Sequence, residues 1–376
     1  MKIKTLFLAT AALAALASCS NDETVDVNQG SGIRMKAFLN KATTRAAEMD
    51  PAGIAKAGGF KVHAYCANNA GFNFIDVFKN TAGGAGDWNS DNKHYWPGDD
   101  SEMEFFAYAP TTTVAAADGK TIPDYTISAT SAEDQTDLVV GYNKGKKSLN
   151  EAGGLEMNFR HALSQVVIQA KNSNTTNMKV EVIGVKVGYV KSKGTLTMPT
   201  TTTTNNAALL PLASWSAQAD ELSYTAGLVD KTTPASPGTA IELNANAQDL
   251  QFLEGGFMLL PQTQTKWTSV PNADGAYLAV LCRISQNDGT GKFNLLYPKA
   301  DAIAAGENYG YSAVPVDVTW EPGKRYTYTL DFFGNGGGGQ VDPEKPGGGD
   351  EIVGGPIKFT VTVDNWTDIN TNVDMK

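Results

Sequence analysis

The chain has 376 residues and a formal net charge of −10; residues 1–45 carry six basic and three acidic side chains, net +3, which leaves −13 on the rest. A surface this acidic argues against nucleic acid as a partner and against electrostatic adsorption to an anionic membrane. There are only three cysteines and three histidines, with no Cys/His pairing at zinc spacing, so composition points to no metal and no cofactor.

Lys2 and Lys4 precede an apolar run from Leu6 to Ala17. That run is too short to span a bilayer as a mature helix and suits a signal-peptide core, so residues 1–18 are expected to be removed on export. It ends in Leu16-Ala17-Ser18-Cys19, which resembles the lipobox of bacterial lipoproteins. Small residues at 17 and 18 fit a signal peptidase's narrow pockets, and the Cys19 thiol accepts the lipid. An ordinary secretory signal with a chance cysteine is the plainer alternative. Ser20-Asn21-Asp22-Glu23-Thr24 is similar to the acidic surface-export tether of Bacteroidetes lipoproteins.

Ile33 to Leu39 alternates, with Ile33, Met35, Ala37 and Leu39 on one face and Arg34, Lys36 and Phe38 on the other, the period of a strand. A polar stretch from Lys41 to Pro51 follows. Its Thr43-Thr44-Arg45-Ala46-Ala47 offers an arginine-specific protease a bond between Arg45 and Ala46. Residues 19–45 therefore read as a tether plus a removable strand.

The rest reads as an all-β chain of short strands between turn clusters. One β-sandwich is expected over residues 46–145, with strands near 59–67, 72–79, 103–109, 124–128 and 137–141. A lysine- and glycine-rich linker spans 143–154. A second sandwich is expected over 155–333, with strands near 156–171, 179–190, 194–198, 251–260, 276–285, 292–297 and 324–333. Gly334 to Gly355 reads as a flexible linker. It leads to the alternating segment Ile357–Val363, so residues 334–376 form an extension. Cys66 and Cys282 lie in strand-like contexts and read as small buried hydrophobes, with a disulfide between them left open.

The two terminal segments match in pattern. Ile357, Phe359, Val361 and Val363 fall at the places of Ile33, Met35, Ala37 and Leu39, and Lys358 stands where Arg34 does. A strand face has period two, so either segment could present one apolar face to the same groove. Burying four such side chains is worth roughly 6–12 kcal/mol before costs. A sandwich that loses a strand exposes unpaired edges, which a partner's strand can fill. The plain alternative is two ordinary strands of one fold.

Other constellations read plainly. His63, His94 and His161 lie far apart, and Asp99, Asp100, Glu102 and Glu104 read as a solvated acidic turn. Six tryptophans (Trp88, Trp96, Trp215, Trp267, Trp320 and Trp366) would suit sugar stacking if exposed and sandwich packing if buried. Gly334–Gly339 lacks the lysine and helix of a phosphate loop, and no Gly-x-Ser-x-Gly elbow or other catalytic constellation is present.

Several stretches in series resemble the fimbrillin family of Bacteroidetes. They are Tyr95-Trp96-Pro97 with Met103-Glu104-Phe105-Phe106-Ala107-Tyr108-Ala109-Pro110, Gln135-Thr136-Asp137-Leu138-Val139-Val140, and Phe159-Arg160-His161-Ala162-Leu163-Ser164-Gln165-Val166. Further on, Met258-Leu259-Leu260-Pro261-Gln262 and Trp320-Glu321-Pro322-Gly323-Lys324-Arg325-Tyr326-Thr327-Tyr328 continue the series. The resemblance implies two transthyretin-like β-sandwich domains in tandem with a C-terminal donor strand. It implies a lipoprotein precursor on the outer membrane, cleavage after an arginine by a trypsin-like protease, and polymerisation with other pilus subunits into a fimbrium. Arg45 matches the cleavage position. The expected function is thus a structural, non-catalytic subunit, of stalk type, in an adhesive pilus. The competing expectation is a surface glycan-binding lipoprotein that keeps its lipid anchor.

Overall fold

The short strand Met35–Phe38 (β1) is the first element of the described part of the chain, which in the computed structural model comprises residues 30, 32–39, 50–80, 86–127, 130–201, 210–211, 214–227, 240–250, 256–268, 274–300 and 308–366. Strands dominate because β-branched and aromatic residues alternate with polar ones, a pattern that fits a half-buried pleated surface. A six-residue helix α1, Pro51–Lys56, interrupts this early. Asp50 caps it, its Oδ1 accepting from the Gly53 amide at 2.7 Å, and Pro51 supplies the fixed first turn. Its one buried residue, Ile54, packs into the first core.

Six further strands join β1: β2 (Phe60–Cys66), β3 (Phe74–Lys79), β4 (Asp87–Ser90), β5 (Met103–Ala109), β7 (Val139–Gly145) and β8 (Leu155–His161). They close into a barrel in the order β1-β4-β3-β2-β5-β7-β8. β1 is the closing stave. It pairs antiparallel to β4 through Met35 and Lys36, and parallel to β8 through all four residues. The barrel encloses its own core, which includes Phe60, Trp88, Phe105, Leu155, Met157 and Phe159.

The strand between them, β6 (Thr121–Thr126), leaves the barrel and pairs instead with β10 (Met178–Thr197) of a second sheet. β10 is flanked by β11 (Trp215–Gly227) and β16 (Tyr277–Asn287). The sheet continues through β18 (Gly310–Pro315) to β21 (Gln340–Val341), with β12 (Ile241–Glu242) beside β10 and β17 (Phe293–Tyr297) beside β16. A third sheet runs β13 (Gln248–Asp249), β9 (Ser164–Asn172), β20 (Lys324–Phe332) and β22 (Lys358–Asn365), with β14 (Phe257–Leu259) on β9. A small pair joins β15 (Thr263–Gln264) to β19 (Val318–Thr319). The largest core draws on the second and third sheets, with Val166, Ile168, Val180, Val182, Leu278, Val280, Tyr328 and Leu330 among its members.

The chain is all-β, but its junctions differ from the sequence expectation. Leu155–His161, expected to open the second unit, is the barrel's last stave. Glu156–Lys171, expected as one strand, breaks at Ala162-Leu163, and the chain passes there from the barrel to the third sheet. Residues 143–154 are a continuation of β7 and a short helix α2, Lys147–Asn150, in place of a linker.

The larger difference lies at Gly334–Gly355. These residues are packed against the second sheet rather than strung out as a linker. The Gly337 amide donates to Pro356 O at 3.0 Å, Gly338 to Ile352 O at 3.0 Å and Gly339 to Gly355 O at 3.0 Å, while Ile352 is buried. Glycine is demanded here by close approach. A Cβ on Gly337 would strike the backbone of Gly354 and Gly355, and one on Gly339 would strike Ser312 Oγ. An ion-pair cluster fixes the same segment. Lys186 Nζ lies 2.9 Å from Asp342 Oδ2 and 2.7 Å from Glu344 Oε2, and the Tyr277 hydroxyl donates to Asp342 Oδ1 at 3.2 Å.

Candidate functional site

The two matched segments occupy opposite situations. Along β1 and its flanks Ile33 is 3% exposed, Met35 and Ala37 are wholly buried, and Leu39 is 8% exposed. The other face meets solvent in part, and polar groups on it hold the strand in place. Arg34 Nη1 donates to Asp87 Oδ2 at 2.7 Å, and Nη2 donates to Ala152 O at 2.7 Å. The Ile33 amide donates to His94 O at 2.7 Å, and Arg34 O accepts from the Leu155 amide at 2.9 Å. Taking β1 out would leave β4 and β8 with unpaired edges and open an apolar slot over Trp88, Leu155 and Met157.

β22 lies on its own chain. It pairs antiparallel with β20 over eight residues, from Lys324 opposite Asn365 to Asp331 opposite Lys358, and among the described residues it is the edge of its sheet. Val363, Val361 and Phe359 stand opposite Tyr326, Tyr328 and Leu330, which belong to the large core. The three overhang that core instead of entering it, at 49%, 46% and 37% exposure. The Phe359 ring only grazes Tyr328, at 6.2 Å between centroids. Buried residues flank the overhang on both sides: Ile357 and Trp366 are each 2% exposed.

Cys19, Arg45 and Ala46 lie outside the described residues. Cys66 and Cys282 are both free and buried, one in each major core, and burial pushes the Cys282 thiol up. All six tryptophans are buried, so none offers a face for a sugar to stack on, and the glycan reading loses the side chains it relied on. Among the described residues no three His, Cys, Asp or Glu side chains converge as metal ligands. The acidic turn is instead held by its own surroundings. Asp100 accepts from the amide and hydroxyl of Ser148, each at 2.7 Å, and Glu104 accepts from the Tyr142 hydroxyl at 2.8 Å.

Two features escaped the sequence reading. One is the Lys186–Asp342–Glu344 cluster, in which Lys186 lies more than 150 residues before both carboxylates. The other is the stack of Trp366 on His161. An aromatic residue three positions past an alternating run was a legible hint of an anchor, but its seat 205 residues upstream was not.

A β-barrel closed by an N-terminal strand, and an edge strand of matching alternation at the other end, define an all-β protein whose two terminal strands share one pattern. The chain belongs to the fimbrillin-like family, whose model matches residues 41–366. It is similar to the fimbrium subunit Fim1C of Phocaeicola vulgatus, 25% identical over 217 residues. That stretch is 50% of this chain and 57% of the relative, so the likeness spans little more than half of that subunit's length. In fold it resembles the crystal structure of a fimbrial protein from Bacteroides vulgatus, with a TM-score of 0.52 at 17% identity, over 89% of this chain and 100% of that one.

Proposed function

We propose that this chain is a structural, non-catalytic stalk subunit of an adhesive surface pilus, delivered to the outer membrane as a lipoprotein and assembled by strand exchange. Cys19 carries the lipid of the precursor. An arginine-specific protease cuts between Arg45 and Ala46, and the tether leaves together with Ile33, Met35, Ala37 and Leu39. The segment Ile357, Phe359, Val361 and Val363 of another copy then enters the slot. Family membership supports the assembly with other subunits, and Fim1C, a fimbrium subunit, supports the surface location.

One observation carries the reading: the stave that closes the barrel buries the apolar face it shares with the matched segment, whereas that segment leaves three of its own side chains half in water. Transfer of Phe359, Val361 and Val363 from half-exposed to buried favours exchange by roughly 1 kcal/mol each. An in-register replacement sets Val361 where Ala37 was and Phe359 where Met35 was. The added volume costs about 1–3 kcal/mol unless the slot relaxes. The donor also gives up its pairing with β20, for which pairing with β4 and β8 substitutes. Exchange is thus close to balanced bond for bond, and an emptied slot, which has lost all of β1, tips it strongly forward.

The test is cleavage of the purified full chain by an arginine-specific protease. The product is expected to begin at Ala46 and to form ladders that resist mild detergent. Ladders that form as readily from a chain lacking residues 357–376 would overturn the proposal.

A further inference from the structure

The seat of Trp366 lies on the same strand that β1 closes against. The Trp366 indole stacks on the His161 ring with centroids 4.2 Å apart and planes 10° from parallel. His161 Nδ1 lies 2.7 Å from Asp137 Oδ2, and both side chains are buried. The Trp366 amide donates to Gly323 O at 2.8 Å, which fixes the indole at the turn that opens β20. β22 is therefore pinned at its two ends, by Ile357 in the large core and by Trp366 on His161, while its middle overhangs.

β8 reaches both regions. Its residues Leu155 to Asn158 pair with β1, and three positions further on it ends at His161, a span of about 10 Å along an extended chain. On its other side it pairs with β7 at only three described positions, Gly141, Val140 and Val139, the last opposite His161 itself. With β1 gone, β8 becomes an edge strand held from one side, and edge strands open locally more readily than internal ones.

We propose that β8 couples the two ends of the chain: losing β1 loosens the His161 seat, Trp366 lets go, and β22 is freed as a donor in the same step that opens the acceptor slot. Trp366 is thus a positioning residue that keeps the uncut subunit docked on itself and silent in assembly. The idea rests on the strand-exchange reading above and adds to it the timing of donor release. In physical terms β8 is a two-state element, stapled or frayed, whose balance both termini bias. Nothing has to travel between distant sites, because one strand carries both contacts.

The experiment is amide hydrogen exchange on the full chain, read at residues 358–365 in the monomeric fraction at submicromolar concentration. The uncut chain should protect them. After arginine-specific cleavage and removal of residues 1–45 in dilute urea, their exchange should quicken at least tenfold, while β9 keeps its protection. Trp366→Ala in the uncut chain should give the same release without cleavage, and Trp366→Phe, which keeps a stacking ring, should restore most of the protection. Unchanged protection of 358–365 after cleavage overturns the coupling, even if ladders form, and leaves strand exchange standing. Release of β22 with no ladders at any concentration upholds the coupling and sinks strand exchange.

Discussion

β1 and β22 carry the same alternation and sit at opposite extremes of burial. Ile33, Met35 and Ala37 are buried in the barrel core, whereas Phe359, Val361 and Val363 overhang the core residues of β20. Pattern sets which face of a strand is apolar, and position in the sheet sets whether that face is covered. A covered stave contributes to stability. An uncovered one of the same pattern contributes little where it lies and has most to gain elsewhere. The contrast predicts that equivalent substitutions in the two strands act on different quantities.

The largest effect is expected at Ala37. Ala37→Asp places an unpaired carboxylate in the barrel core and should lower stability by on the order of 5 kcal/mol. Chemical denaturation of the uncut chain reads this. A loss under about 1 kcal/mol would mean that β1 is not a structural stave. Next comes the fastening of β22's approach. Lys186→Ala strands Asp342, which is 1% exposed, and a carboxylate deprived of its buried partner costs about 3 kcal/mol. Hydrogen exchange should rise across 340–357 and leave the barrel untouched. Uniform loosening of the whole molecule would contradict the local role.

Much of this was readable in residues alone, and the failures have physical causes. Met103–Ala109 was legible to the residue because a short, aromatic-rich apolar run bounded by turn residues reads as a buried strand. A strand is legible near β6, though expected at 124–128 where the structure has Thr121–Thr126; its partner is not, since a strand's period says which face is buried and nothing about which sheet receives it. Gly334–Gly355 misled for a definite reason: glycine serves loose linkers and tight backbone contacts equally, and only Gly337 and Gly339 against 352–356 tell them apart. The matched faces of Ile33–Leu39 and Ile357–Val363 were legible; that one is buried and the other exposed was not.

A smaller effect should appear in acid at the entry of β1. His94, whose carbonyl accepts from Ile33, has its Nε2 2.8 Å from Asp76 Oδ2 and its ring stacked on Phe74. Partial burial pushes the Asp76 carboxyl up. Hydrogen bonds from His94, the Val77 amide and Asn92 together outweigh this and hold it below its ordinary range. A depressed carboxylate adds stability above its unfolded pKa of about 4 and loses it as pH falls through the lower folded value. The denaturation midpoint of the natural chain should therefore fall below pH 4 more steeply than that of Asp76→Asn. The difference should be about 1.5 kcal/mol, the low end for a hydrogen bond to a charged group. Parallel pH curves would remove Asp76 from the support of β1.

The smallest effect on stability should be the most telling for assembly. Val361→Asp puts a charge on a residue that is 46% exposed at a sheet edge, where water reaches it. The uncut monomer should change by no more than about 0.5 kcal/mol, as exposed substitutions do. Under the proposed exchange the same side chain would take the place of Ala37 in another copy, with no partner for its charge among Trp88, Leu155 and Met157. Ladders should then vanish while the monomer's melting curve stays put. The same aspartate at position 37 should destabilise the barrel, so the pair would separate a strand that holds its own fold from one that, as proposed, completes another's. Normal ladders from Val361→Asp would place the contact between copies somewhere other than this face.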